Sequence, residues 1–248
     1  KQGVRLTPMG KILFERCERI FCEFEDLKGS LDQRKQECQG ELWIGASDNL
    51  CNYLLPSVLS SFLERYPKVQ IKLFAGTAPA ILNQLRDFQL ELGLFYTPIT
   101  DASLFLEEIA NIEFVIVIAK DYSKRLGTKK IILKDLAKVG YLGSRVQDYS
   151  KPYPALNLLR KMGLNPEILI EVNQQETQKR LVEAGLGFSV LPRHMVQSEL
   201  LQGTLIAIGT PKPLNSPLYL ARRRNRTLSF TALRWVDTLR EGLLHRSG

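Results

Sequence analysis

The spacing of hydrophobic residues changes near residue 40. Before that point, apolar side chains recur at steps of three and four, the spacing of one helix face, at Leu13, Cys17, Ile20, Phe24, Leu27 and Leu31. Thr7 and Pro8 suit the start of this helix, and after Gly10 no glycine or proline interrupts it before Gly29. About 30 residues would reach about 45 Å. Such a long, narrowly striped helix is typical of a dimerisation or linker helix, and the alternative is a helix folded back on its own domain.

After Gly40, short alternating strands follow one another with helices between them. The first half of this region reads as strand 41–47, helix 52–66, strand 69–74, helix 80–88 and strand 91–96. The second half repeats the order with strand 140–144, helix 154–162, strand 167–172, helix 176–184 and strand 187–191. This order is typical of parallel βαβ units. The sequence therefore predicts an α/β fold with two Rossmann-like βαβ lobes, preceded by a long helix.

The domain boundaries are expected where strands cross between the lobes. The apolar runs 113–120 and 204–209 are the expected crossings, after which strand 217–224 and helix 227–244 return to the first lobe. The predicted organisation is a helical segment over 1–39, lobe I over 40–118 plus 208–248, and lobe II over 119–207.

Two such lobes are expected to face each other across a cleft, because ligands bind beyond the carboxyl ends of parallel strands. Helix N-termini point their free N–H groups there, which favours a carboxylate or phosphate ligand. No glycine-rich phosphate loop, nucleophile elbow or paired carboxylate follows these strands. The pattern therefore favours a receptor over an enzyme, with no cofactor.

Composition and cysteine content narrow the class further. The 248 residues are 44% hydrophobic and 24% charged, and no apolar run approaches the roughly 18 residues of a membrane span. Neither the four cysteines, at positions 17, 22, 38 and 51, nor the two histidines have metal-ligand spacing. We expect a soluble, cytoplasmic protein without a membrane partner or a metal, and reduced thiols; a redox-active cysteine is the alternative.

The positive charge is concentrated at the C-terminal end. The formal net charge is +8, and residues 208–248 contribute 8 − 2 = +6 of it. Most of this excess lies in Arg222, Arg223, Arg224 and Arg226. Such a cluster can contact nucleic-acid phosphates, but a solvated strand end followed by a turn is the commoner structure.

Three segments together resemble one protein family. RLTPMGKILFERCERI (5–20) resembles the wing end and linker helix of LysR-type transcriptional regulators. GELWIGASDNLCNYLLPSVLSSFLERYPKVQIKLFAG (40–76) and LVEAGLGFSVLPR (181–193) resemble their effector-binding domain, a periplasmic-binding-protein type of fold. The resemblance implies a small-molecule effector, DNA contact through a winged helix-turn-helix of which residues 1–6 would be the last part, and homodimers or homotetramers.

The resemblance also implies positions for the effector pocket. By position these are Ser47, Asp48, Asn49, Asn52, Thr77, Thr97, Ser144, Arg145 and Gln175. Asp48 does not suit an anion site, since its carboxylate would repel an anion. Arg145 is either a surface residue or, as a hypothesis, the cation that clamps the anion. Helix capping is an alternative role for Ser47 and Thr77.

Two other functions fit the same pair of lobes. A solute-binding receptor of a transport system shares the architecture, but a dimer-forming helix would be unexplained there. A small-molecule enzyme would need a base, a nucleophile or a metal set that the motifs do not provide. Residues upstream of Lys1 would separate the first two functions, since a regulator needs a helix-turn-helix and a receptor needs a signal peptide.

Overall fold

A computed structural model of the chain describes residues 37–96, 101–144, 154–224 and 226–244, together with residues 7–10 and positions 12, 13, 16, 17, 20, 24 and 27. Every described position from 8 to 27 is helical, as the apolar spacing predicted. Leu13, Ile20, Phe24 and Leu27 on this helix are 60–64% exposed, and Cys17 is half-buried. Leu31 lies outside the described residues, and the use of this face in dimerisation stays a prediction.

The remaining elements alternate as strands and helices. In chain order they are β1 (Gly40–Ala46), α1 (Asp48–Tyr53), α2 (Leu55–Arg65), β2 (Val69–Ala75), α3 (Ala78–Arg86), β3 (Leu92–Phe95), β4 (Leu104–Ala119), α4 (Tyr122–Leu126), a 3-10 helix (Leu133–Lys138), β5 (Tyr141–Ser144), α5 (Pro154–Lys161), β6 (Ile168–Val172), α6 (Gln175–Glu183), β7 (Phe188–Pro192), α7 (Arg193–Gln202), β8 (Leu205–Ile208), β9 (Leu214–Arg223) and α8 (Phe230–Leu244).

The chain divides into two compact units. The first contains the residues up to Ser47, Leu55–Ala110 and the chain from Tyr219 onwards. The second contains Asp48–Leu54 and Asn111–Leu218. The boundaries expected from the sequence, after residues 118 and 207, fall inside the second unit, because β4 and β9 are long strands with residues in both units. The functional division into lobes I and II stays a prediction.

The first unit is built on the predicted βαβαβ order. β1 pairs in parallel with β2 and with β3, and β3 pairs antiparallel with β9. Its fully buried side chains include Leu42, Ile44, Phe62 and Trp235. The prediction of one helix over 52–66 is wrong, because the structure has two helices, α1 and α2, that separate at Leu54. Of these, α1 belongs to the second unit. Pro56 explains the break, because proline fits the first turn of a helix and disrupts its interior.

The second unit repeats the parallel arrangement. β5 pairs in parallel with β6 and β7, while β7 and β8 both pair antiparallel with β4. The expected crossing at 204–209 is wrong, since β8 stays within this unit and β9 makes the return. The sequence also missed α7, whose buried Met195 and Val196 are adjacent and give no helical period. The two βαβ sets confirm the predicted α/β fold class.

Candidate functional site

Ser47 lies at the end of β1 in the first unit. Its N–H donates to the carbonyl oxygen of Leu94 at 3.2 Å. Its hydroxyl is buried and has no hydrogen-bond partner among the described residues. Capping therefore does not account for this side chain, because a capping hydroxyl would accept a bond from a backbone N–H at the start of the next helix.

Thr77 precedes α3 in the same unit, and its side chain is exposed. Its backbone occupies the cap position and its carbonyl accepts from the N–H of Ile81 at 3.0 Å, but the hydroxyl makes no capping hydrogen bond. The predicted capping role of the Thr77 side chain is therefore wrong; Pro79, the second residue of α3, removes one of the two N–H groups that a capping hydroxyl can engage. Thr97 and Arg145 lie outside the described residues.

Asn49 and Gln175 are brought together in the second unit although they are 126 residues apart in sequence. Asn49 is buried on α1, and its Nδ2 donates to Oε1 of Gln175, the first residue of α6, at 2.6 Å. Asp48 begins α1, and Asn52 is exposed on the same helix. Ser144 ends β5 and pairs with Val172, while its side chain lies outside what the structure describes. Two predicted positions thus meet at one helix N-terminus.

Charged side chains next to Gln175 tie α1 to α6 and α7. The hydroxyl of Tyr53 donates to Glu176 in a short hydrogen bond, and Arg180 pairs with Glu176 at 3.0 Å. Nζ of Lys179 contacts Oε1 of Glu199 at 2.7 Å and lies 4.8 Å from the centre of the Tyr53 ring. The Lys179 side chain is only 3% exposed. A buried ion pair therefore holds the helix that carries Gln175.

Burial and pairing shift the pKa values of these groups. Burial raises the pKa of Tyr53, and its hydrogen bond to Glu176 raises it further. Burial alone would lower the pKa of Lys179, but its bonds to Glu199 and Tyr53 outweigh burial and raise it. Burial is the largest single effect on Glu199 and would raise its pKa, but the hydrogen bonds to Lys179, a backbone N–H and Ser198, with the charge of Lys179, together lower it. Lys179 and Glu199 are thus both held in their charged forms.

Gln178 fixes the other side of α6. It is 1% exposed, and its Nε2 donates both to the carbonyl oxygen of Leu142 on β5 and to the hydroxyl of Ser189 on β7. The Ser189 hydroxyl donates to the same carbonyl at 2.9 Å. These bonds tie α6 to β5 and β7.

The sequence predicted Asn49 and Gln175 but missed Tyr53, Glu176, Lys179 and Glu199. The sequence did not indicate a site role for Tyr53, because residues 52–66 have the pattern of one continuous amphipathic helix. Lys179 and Glu199 were interpreted as solvated charges, since no pattern in the sequence indicated α7, which carries Glu199. The adjacency of Gln175 and Glu176, with Lys179 one turn later, was the one available signal.

Metal and thiol chemistry are not favoured in the described part of the chain. No group of three or more His, Cys, Asp or Glu residues there could hold a metal ion. Burial, with the negative charge of Asp48, raises the pKa of Cys51 to about 11. Burial also raises the pKa of Cys38. Raised pKa values disfavour the reactive thiolate, which weakens the redox alternative for these two residues.

Among the residues described, no helix is both long and apolar enough to cross a membrane.

Residues 35–244 match the family model of the LysR substrate binding domain, and the chain belongs to this family. It is 26% identical over 199 residues to the HTH-type transcriptional regulator CysL of Bacillus subtilis, covering 79% of this chain and 64% of CysL. The chain thus spans somewhat less than two thirds of the length of that relative. The resemblance inferred from the three sequence segments is confirmed.

Solved structures share the fold. The LysR-type regulator CrgA of Neisseria meningitidis superposes with a TM-score of 0.70 at 19% identity, covering 98% of this chain and 82% of CrgA. The regulatory domain of Synechocystis CcmR, solved in complex with 2-PG, superposes with a TM-score of 0.68 at 20% identity, covering 82% of this chain and 97% of that domain. These likenesses show that the fold is that of LysR regulatory domains.

Proposed function

We propose that this chain senses a small organic anion and passes the signal to a DNA-binding segment of a cytoplasmic transcriptional regulator. The hydrogen bond between Asn49 and Gln175 carries the proposal, because it joins two positions, far apart in sequence, that the family resemblance implied for an effector pocket. The 2-PG complex of CcmR supports a small-molecule ligand for a domain of this fold. That relatives are HTH-type regulators supports a regulator over a transport receptor or an enzyme.

The start of α6 has the chemistry that an anion needs. The first N–H groups of a helix have no partner within that helix and carry partial positive charge. The side-chain amides of Asn49 and Gln175 lie beside them and offer further donors. The carboxylate in the first turn of α6, Glu176, is engaged by Tyr53 and Arg180, which limits its repulsion of a ligand. Ser47, Thr77, Thr97, Ser144 and Arg145 remain proposed as further contacts, and Asp48 as the residue that opposes an anion.

A thermal-shift screen of carboxylates and phosphorylated metabolites should find ligands that raise the melting temperature. A ligand at 100 times its dissociation constant stabilises the folded form by about 2.7 kcal/mol. Asn49→Ala and Gln175→Ala should each weaken a hit by about 0.5–1.5 kcal/mol, roughly 2- to 12-fold, measured by calorimetry. Gln197→Ala removes an exposed amide from α7 and should leave the affinity unchanged. A hit that is indifferent to both Asn49 and Gln175 would place the effector elsewhere.

We also propose that the N-terminal helix pairs two chains, and that the effector domains extend the assembly to a homodimer or homotetramer. The exposed apolar face of Leu13, Ile20, Phe24 and Leu27 supports this, because side chains of this kind at heptad spacing pair with another helix. DNA contact is assigned to a helix-turn-helix outside residues 7–248.

Removing residues 1–38 should lower the molar mass of the assembly measured by light scattering. The double variant Leu13→Glu with Phe24→Glu should do the same in the full chain, because charges on a helix seam are costly to bury. Glu15→Lys changes a residue whose place in the heptad spacing is on the outer face, away from the seam and its flanking positions, and serves as the control. An unchanged mass in both the truncation and the double variant would show that this helix does not hold the assembly together.

A further inference from the structure

The first unit contains a cavity of about 680 Å³ beside β9 and α8. Its ionisable lining consists of Arg222, Arg224, Arg226, Arg240, Glu107 and Asp237. None of the effector-site positions predicted from the sequence lines it. The volume falls within the range of about 300–1,000 Å³ that is usual for small-molecule sites.

The carboxylates of the lining already have partners. Glu107 pairs with Arg240 in a short contact, and Asp237 pairs with Arg234 at 3.3 Å. By contrast, no carboxylate of the described residues lies within ion-pair distance of Arg222 or Arg224. The cavity therefore has an excess of positive charge that its own acidic residues do not neutralise.

Backbone oxygens and one aromatic ring hold the two guanidinium groups in place. Arg224 donates from Nε to the carbonyl of Ala102 and from Nη2 to that of Leu104, both at 3.2 Å. Arg222 donates from Nη1 to the carbonyls of residues 223 and 226 at 3.4 Å and lies 4.6 Å from the centre of the Phe105 ring. A guanidinium has five N–H donors, so both side chains keep donors for a ligand in a fixed orientation. Arg222 is half-buried on β9 and Arg224 is exposed directly after it, so the expected solvated strand end fits Arg224, while these contacts fix the orientation of both groups.

The rest of the lining includes apolar side chains. Leu220 and Val236 are buried, and Leu233 is 39% exposed. Paired donors next to an apolar wall suit a ligand with a charged head and a hydrocarbon body. We propose that this cavity is a second ligand site, which binds a small carboxylate with an apolar body through Arg222 and Arg224. The site does not depend on the effector site at Asn49 and Gln175.

The position of the site suggests what its occupancy would change. Arg222 lies on β9 and Glu107 on β4, and both strands also have residues in the second unit. A ligand in this cavity would therefore contact two strands that have residues in both units. We assign such a ligand a regulatory role.

The test is a titration of the ¹⁵N-labelled full chain with 3-phenylpropionate, followed by NMR. The neutral 3-phenylpropionamide has the same body without the charge and serves as the ligand control. We expect saturable shifts of backbone amides between residues 226 and 240 with the carboxylate only. Arg224→Gln and Arg222→Gln should each weaken binding about tenfold or more, because each removes a charge-assisted hydrogen bond.

Two further variants keep the test decisive if an arginine variant unfolds. Leu233→Glu places a negative charge on a half-exposed wall position and should abolish binding while the chain stays folded. Arg65→Gln removes an exposed arginine of the same unit that does not line the cavity, and should change nothing. Equal binding of the amide, binding that survives Leu233→Glu, or no saturable shift would overturn the proposal. So would shifts of the same amides by a random 20-base-pair duplex but not by the carboxylate.

Discussion

Replacing Lys179 by Met should lower the free energy of unfolding of the second unit by about 3–5 kcal/mol. Lys179 is 3% exposed, and the Glu199 carboxylate at 2.7 Å is 12% exposed. The variant leaves that carboxylate buried without its cation and removes the contact with Tyr53. A loss of this size corresponds to a melting temperature lower by about 10 °C in a chain of this length. Circular dichroism gives the melting temperature, and hydrogen exchange of α6 amides locates the loss.

The matched control is the double variant Lys179→Met with Glu199→Gln. It removes the uncompensated charge and should recover much of the lost stability, because a neutral amide costs less to bury than a carboxylate. The pH dependence gives a second check. Glu199 has a lowered pKa, so its contribution is present above its ordinary pKa of 4.5 and is lost as the pH falls. Lys179→Met should remove that acid-side loss, and a single variant as stable as the parent would contradict the role given to the pair.

Replacing Gly187 by Ala should destabilise the second unit by about 3 kcal/mol. A Cβ at this position would lie 2.3 Å from the carbonyl oxygen of Gly140 and 3.1 Å from Cγ of Leu142. The same carbonyl accepts the N–H of Phe188 at 3.1 Å, where β7 joins β5. Both obstacles belong to a neighbouring strand, and the carbonyl is backbone, so the methyl group can be accommodated only by separating β5 from β7.

Gly209→Ala provides the control, because no atom lies within 4 Å of its added Cβ and the residue follows β8 in the same unit. Chemical denaturation of both variants gives the comparison. We expect Gly209→Ala to stay within about 0.5 kcal/mol of the parent, as exposed substitutions do. Similar stabilities for the two variants would show that the close approach at Gly140 is not rigid.

The sequence predicted the fold where hydrophobic period and order carry the information. Leu42 and Ile44 alternate as a strand must, and β1 to β3 and β5 to β7 follow as predicted. The predictions were wrong where tertiary contacts determine how an element ends or which unit it joins. The amphipathic pattern over 52–66 looks continuous in the sequence. In the structure α1 and α2 separate at Leu54 and belong to different units. β8 reads like any apolar strand, and only its pairing with β4 shows that it does not cross between units.

The candidate site shows the same limit. Gln175 was predicted from the resemblance to the LysR family, which assigns a position within one chain segment. The pairing of Lys179 with Glu199 depends on α7. Arg224 donates to backbone oxygens 120 or more residues away in sequence, and Arg222 donates to backbone oxygens four or fewer residues away. Residue type alone does not reveal such partners, so these charges read as solvated in the sequence.

A crystal structure of the chain with the tightest ligand from the carboxylate and phosphate screen tests the central claim most directly. We expect the anionic group to lie within hydrogen-bond distance of the first N–H groups of α6, with the side chain of Gln175 or Asn49 as a direct contact. An anion bound away from α6, with Asn49 and Gln175 still joined only to each other, would contradict it.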